Sequence, residues 1–382
     1  MGALRVRRKG PGQVGGRNRA CSTLDGTFSL VRRFSAATSL AAATVVTSSA
    51  LLTGMSGASP PSSVGAIVAL KTPAALAVSF KGVLYVVDAG RDQILRRLAS
   101  GQFQVVAGDG RRGFSGDDHL AIDAEISVNE QSGLAVASNG TVYFVDEGNG
   151  RVREILSSGV VETVAGGGSE IPGAVSVPAL RARFGTLDQL NGLAMGPGGQ
   201  LYIGSDGVYR LASGVLHRVI GSDAPGLNKG FKGYGSSPVF QKDFDPAYTL
   251  DFDGKGDLLV GGGNTWSLYE RTAGGAFRFI QEDRAQGGYY AAMAAAPDGS
   301  VVLAGGVHGL ARFHPSGLIT TIPASGLSTL LQPPSHFTVG EGVAVAPDGA
   351  IYLDADANNG FTNVSAIVQV TSAGHAALVW KS

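Results

Sequence analysis

The chain has 382 residues, 44% of them hydrophobic, with 58 glycines and equal numbers of basic and acidic side chains, 30 of each. That balance is uneven: residues 1–35 hold eight Lys and Arg and one acid, which leaves 22 basic and 29 acidic residues in the rest of the chain. An acidic body lacks the basic patch that phosphate neutralisation needs, so no nucleic-acid partner is expected. The lone Cys21 excludes a disulfide framework or thiol nucleophile beyond the basic stretch.

In chain order, residues 1–58 come first. Their basic residues include Arg32 and Arg33, and the uncharged run 36–52 is followed by small residues ending Ser56-Gly57-Ala58. A basic n-region, apolar h-region and small-residue exit read as a basic leader and signal peptide, with secretion as the expectation. Arg32-Arg33-Phe34 fits the twin-arginine variety except for the polar residue usual between Arg and Phe. The competing reading, a membrane anchor, suits a run with six Ser and Thr less well, so no integral span is expected in the mature form. A start downstream of Met1 stays open.

Residues 59–72 read as a linker with a candidate closing strand around Ala66-Ile-Val-Ala-Leu70. From residue 73 to 382 one pattern governs. An aliphatic residue is followed six positions later by Gly and three further on by Tyr, Leu or Val. The copies are Leu76-Gly82-Tyr85, Leu134-Gly140-Tyr143, Leu193-Gly199-Tyr202, Leu250-Gly256-Leu259, Met293-Gly299-Val302 and Val343-Gly349-Tyr352. The anchors lie 58, 59, 57, 43 and 50 residues apart, so a rigid unit repeats with elastic connections.

Each unit predicts a hairpin, as in Gly133-Leu-Ala-Val-Ala137, Ser138-Asn139-Gly140, Thr141-Val-Tyr-Phe-Val145, and then two further strands such as 151–155 and 160–164. Such short four-stranded sheets bury both faces only by stacking radially. The expected fold is all-β, a six-bladed β-propeller with four antiparallel strands per blade. Either Ala66–Leu70 or the strand around His375-Ala-Ala-Leu-Val-Trp380 would complete the last blade.

Blades one and two carry Asp88-Ala-Gly90-Arg-Asp-Gln-Ile94 and Asp146-Glu-Gly148-Asn149-Gly-Arg151-Val152, and between them runs Val105-Val-Ala-Gly108-Asp-Gly110-Arg-Arg-Gly113-Phe-Ser-Gly116-Asp117. Over residues 73–170 the chain resembles NHL repeats, in particular those of secreted bacterial propellers and of teneurins. The signature Asp gives way to Ser205, Gly262 and Gly305 in blades three to five and to Ala355 in blade six. The resemblance implies a ligand-binding platform, although enzymes share the architecture and fold alone does not choose.

Candidate sites follow from the long inter-blade segments, where binding residues concentrate. They are Arg111, Arg112, Phe114, Asp117 and His119 in the first, Phe231, Tyr234 and Phe240 in the third, and His308 and His336 in other loops. The three histidines are expected on one face, where they could converge on a metal, though no spacing supports such a site. Gly108-x-Gly110-x-x-Gly113 lacks the following helix of a dinucleotide site. Asp88 and Asp146 suit hydrogen bonds to the loop that follows them.

No cofactor is predicted, although Ca2+ or another divalent metal has candidate ligands. Glu130 and Glu341 precede inner strands, where gluconolactonase-like propellers place calcium ligands. Asp251, Asp253 and Asp257 resemble a calcium loop without its twelfth-position Glu. The favoured function is an exported module that binds protein, peptide or glycan. The alternative is a metal-dependent lactonase or lyase with its site in the central channel mouth.

Overall fold

The computed structural model describes residues 64–172, 176–184, 190–220, 247–262, 267–282, 291–305, 309–323, 330, 336–358 and 363–382. These form six antiparallel sheets, taken in chain order as blades one to six. The inner strands Pro73–Val78, Leu134–Val136, Leu193–Met195, Ala247–Phe252, Ala292–Ala295 and His336–Val345 pack each on the next, and the last packs on the first. The chain is a six-bladed β-propeller.

The repeated triplet sets one hairpin register. Leu76 faces Val86, Leu134 faces Phe144, Leu193 faces Ile203, Leu250 faces Val260, Met293 faces Leu303 and Val343 faces Leu353. The turn differs from a two-residue Asn-Gly hairpin. In blade two the Gly140 and Ala137 amides donate to Ala137 and Thr141 carbonyls, closing a three-residue loop with Gly140 at φ 91°. All six triplet glycines take positive φ there, which a side chain would resist.

The triplet also sets the packing. The buried apolar residues fall into six clusters, one between each pair of adjoining blades. At the centre, the anchor of one blade meets an alanine of the blade before it: Leu134 shares a cluster with Ala77, Leu193 with Ala135, Leu250 with Ala194, Val343 with Ala294 and Leu76 with Ala344. Large against small fills the narrow space near the axis without strain. Between blades four and five the rule breaks, because Asp251 stands where the alanine belongs.

Strand number varies. Among the described residues blades four to six have four strands, whereas blades one to three gain a fifth at the outer edge. These short strands are Ile67–Val68, His119–Leu120 and Val177–Pro178, paired with the outer strands Phe103–Ala107, Val160–Gly166 and Val215–Ile220. Ala66–Leu70 is therefore an edge strap on blade one. Blade six is completed by its own last strand, Ala376–Lys381, beside Asn363–Val370. The ring closes by side-chain packing, with Leu76, Val86 and Leu95 of blade one against Ala344, Tyr352 and Ile367 of blade six.

The straps of blades two and three repeat a signal absent from the triplets. Ala121, Ala124 and Ile126 are buried beneath blade two's strap, and Ala179, Ala182 and Phe184 beneath blade three's, each 58 positions on. In both, a single 3-10 turn, Ala121–Asp123 or Ala179–Arg181, bends the chain back toward the inner strand.

Candidate functional site

The first inter-blade segment leaves blade one at Ala107 and descends along the outer edge of blade two. Its geometry is set by Arg153, on the third strand Arg151–Ile155. The guanidinium is fully buried (0% exposed) and donates to Asp117 Oδ1 at 2.8 Å, to the Ser115 carbonyl at 2.7 Å and to Asp146 Oδ2 at 3.4 Å. Asp117 also accepts from the Thr163 hydroxyl at 2.7 Å. Asp117 thus secures the segment.

Asp146 accepts the Ser127 amide and the Asn149 side-chain amide, each at 2.7 Å. Burial nonetheless pushes its carboxyl up to about 6, with these hydrogen bonds and Arg153 pulling the other way. Asp88, its counterpart in blade one, accepts the Lys71 and Thr72 amides. Both aspartates therefore hold the segment that enters their own blade, a role broader than capping the following loop.

On this braced segment sit three exposed predicted side chains. Phe114 is 43% exposed and lies over Arg151, 4.0 Å from its ring centre, with Arg153 at 5.2 Å. Arg111 pairs with Asp109 and Glu125. Arg112 pairs at 3.3 Å with Asp92, whose carboxylate also takes the Val128 amide.

Arg112 and Glu130 line one open cleft of about 320 Å³ between blades one and two, with Thr72, Gly90, Asn129 and Gln131. Asn129 Oδ1 takes the Gln131 amide and the Ser132 hydroxyl, which fixes the turn that carries Glu130 outward. A guanidinium, a carboxylate, amides and a hydroxyl around one mouth can hold a polar, extended ligand through several hydrogen bonds. The sequence pointed to Arg112 and Glu130 but to none of their amide neighbours, because Asn129 and Gln131 join them only when blade two folds.

His119 is a correction. The strap carries it to the outer edge of blade two, where Leu120 pairs with Val160 and the Ala121 amide reaches the Gly159 carbonyl. It stands at the level of the third-to-fourth-strand turn, away from the cleft, with Nδ1 on the Asp117 carbonyl. Phe231, Tyr234, Phe240 and His308 lie outside the described residues, as do the side chains of His336 and Glu341.

A second cleft, of about 650 Å³, runs between blades two and three and is lined by Tyr143, Glu154 and Leu180 among others. Tyr143 is pushed up to about 12, by withdrawal from water first and by Glu154 second. Tyr143 and Gly199 of the repeated triplets line it, but none of the candidate binding or metal residues does.

The predicted calcium loop divides. Asp253 and Asp257 stand together in the first turn of blade four, joined by Glu270 from Ser267–Arg271. Asp251 is engaged elsewhere: its carboxylate takes the Phe252 amide and, at 2.6 Å, the Ala295 amide of blade five. Withdrawal from water pushes it up to about 6.

No protein-family profile matches the chain. Human and mouse Teneurin-4 are each 39% identical to it over 99 residues, which is 22% of this chain and 4% of theirs. The chain thus spans a small fraction of the curated relatives it matches. Among solved structures it is similar to virginiamycin B lyase from Staphylococcus aureus (TM-score 0.46, 11% identity, 82% of this chain and 87% of that one). It is also similar to a gluconolactonase from Xanthomonas campestris (0.44, 13%, 82% and 87%) and to regucalcin, a calcium-binding protein from Agrobacterium tumefaciens (0.47, 14%, 77% and 85%). These likenesses concern the fold. The class that the six sheets define is the six-bladed propeller. Among the described residues no helix is long and apolar enough to cross a membrane.

Proposed function

We propose that the chain is an exported binding platform of the NHL-like kind, which takes a polar ligand, a peptide segment or a glycan, in the cleft between blades one and two. One observation carries this reading: the segment that forms the cleft's rim is braced from beneath by the buried Arg153, so that Phe114 and Arg112 are presented on a fixed backbone. Binding to a pre-organised rim avoids the entropy of ordering a loop. In this reading residues 1–58 direct export.

The alternative, a lactonase or lyase with a metal at the channel mouth, draws less support. Glu130 shares its cleft with Arg112, and among the described residues the carboxylates that converge, Asp253, Asp257 and Glu270, lie at the first turn and third strand of blade four. Probing peptide and glycan arrays with the full chain tests the platform reading. Discrete binders that lose their signal with Arg112→Ala support it, and binders consumed on incubation would transfer the case to the enzyme.

A further inference from the structure

Blade four departs from its sisters at one corner. The first residue of its hairpin turn is Asp253, where the other blades have Ser79, Ala137, Gly196, Ala296 and Ala346. The last is Asp257, where they have Val83, Thr141, Gln200, Ser300 and Ala350. The third-strand position that faces the end of the triplet is Glu270, where blades one, three and five have Arg96, Arg210 and Arg312, blade two has Glu154 and blade six Gln369, so that blade four alone combines this acid with two in the turn.

All three carboxylates are buried, and one oxygen from each lies within 4.8 Å of the others. Asp257 and Glu270 share a sheet face with Leu259, whose cluster contains Met293 and Phe313 of blade five, so the corner faces that blade.

The neighbouring blade shows how such a corner is neutralised from within. In blade five Arg312 reaches Asp298 Oδ2 at 2.9 Å and the Ser300 hydroxyl at 2.7 Å. Blade four replaces that arginine by a third acid. Lys255, the cation within the turn, points away and donates to the Pro315 carbonyl. Asp253 Oδ1 is occupied by the Lys255 and Asp257 amides, at 2.9 Å each. Its Oδ2 is buried in a residue 5% exposed and has no hydrogen-bond partner. An ionised oxygen without a partner is costly to bury, and it is available to a ligand that brings positive charge.

We propose that this corner is a divalent-cation site, with Asp253, Asp257 and Glu270 as ligands and blade five as its cover. An all-oxygen carboxylate set selects a hard cation, and the spread of these oxygens suits the flexible shell of Ca2+ better than the strict octahedron of Mg2+. The glutamate missing from the loop's own sequence is supplied by the third strand, through sheet pairing. The site lies on the face opposite the cleft and stands independently of the binding reading.

The test uses the full chain stripped with a chelator and then titrated with Ca2+, read by calorimetric uptake and by melting. The wild type is expected to take one equivalent and to melt several degrees higher when loaded, since a ligand bound only by the folded state stabilises it. Asp253→Asn keeps an amide oxygen for the turn's two hydrogen bonds and is expected to lose both uptake and the rise in melting. Its cation-free form should melt no lower than the cation-free wild type, because one buried charge is gone. Glu270→Gln repeats the test should the first variant not fold, and Asp298→Asn in blade five should leave uptake intact. No uptake by the wild type, or equal uptake by Asp253→Asn or Glu270→Gln, would overturn the assignment.

Discussion

Arg153 and Asp117, 36 residues apart in the chain, meet at 2.8 Å on the outer side of blade two, with the guanidinium wholly withdrawn from water. Through that contact the third strand of a blade fixes the segment that precedes the blade. The same cation approaches Asp146 and the Ser115 and Glu125 carbonyls, so its removal strands several polar groups at once.

Arg153→Ala should therefore destabilise the protein by about 3–5 kcal/mol, the range for breaking a buried pair from one side. Urea denaturation measures the loss. Hydrogen exchange should show faster exchange at the Asp118 amide, which donates to the Val161 carbonyl. A cost near that of an exposed arginine would show that the network contributes little.

Asp146 gives a pH dependence of defined sign. Its folded carboxyl titrates near 6 and the unfolded reference near 3.8, so between those values the folded state holds a proton that unfolding releases. Stability contributed by this group is full below about pH 4 and is lost as pH rises toward 6, by roughly 3 kcal/mol at the upper end. Arg153, Asp117, Ser127 and Asn149 surround the group, and the loss leaves Arg153 shared between two carboxylates. Asp146→Asn should flatten this part of the profile relative to the wild type. Parallel profiles for the two proteins between pH 4 and 6 would refute the assignment.

Two glycines with the same φ of 91° separate turn strain from close packing. A Cβ on Gly140 would meet nothing within 4 Å, whereas on Gly108 it would lie 2.3 Å from the Asp92 carbonyl oxygen. Gly140→Ala should cost about 1–2 kcal/mol from backbone strain alone. Gly108→Ala should cost clearly more in the same thermal melts; equal costs would mean that the backbone at Asp92 yields freely.

Much of the scaffold was legible because triplet residues act locally. Leu134, Gly140 and Tyr143 specify a hairpin whose register needs no knowledge of the rest of the chain. The alternation of Leu76 and Ala77 reports two different inter-blade clusters, which is why the small residues recur. The straps of blades two and three were missed because their signal is a buried alanine pair, Ala121 and Ala124 in blade two, in a segment read only for exposed side chains. His119 was misplaced for the same reason. Glu270 could not be found from loop spacing, since strand pairing brings it to Asp253 and Asp257. Its column reads Arg96, Glu154, Arg210, Glu270, Arg312 and Gln369, so the acid alone is not distinctive; only blade four adds acids at both ends of its hairpin turn, Asp253 and Asp257, and that comparison needs only the repeat alignment.

Binding measured on three proteins decides whether the cleft beside Arg112 holds the ligand. Arg112→Ala should weaken the strongest array ligand by about tenfold or more, the size of an interface hot spot. Lys81→Ala, in the first turn of blade one on the opposite face, should leave its affinity unchanged. Equal affinity in all three proteins, or an equal loss in both variants, would contradict the assignment of the cleft.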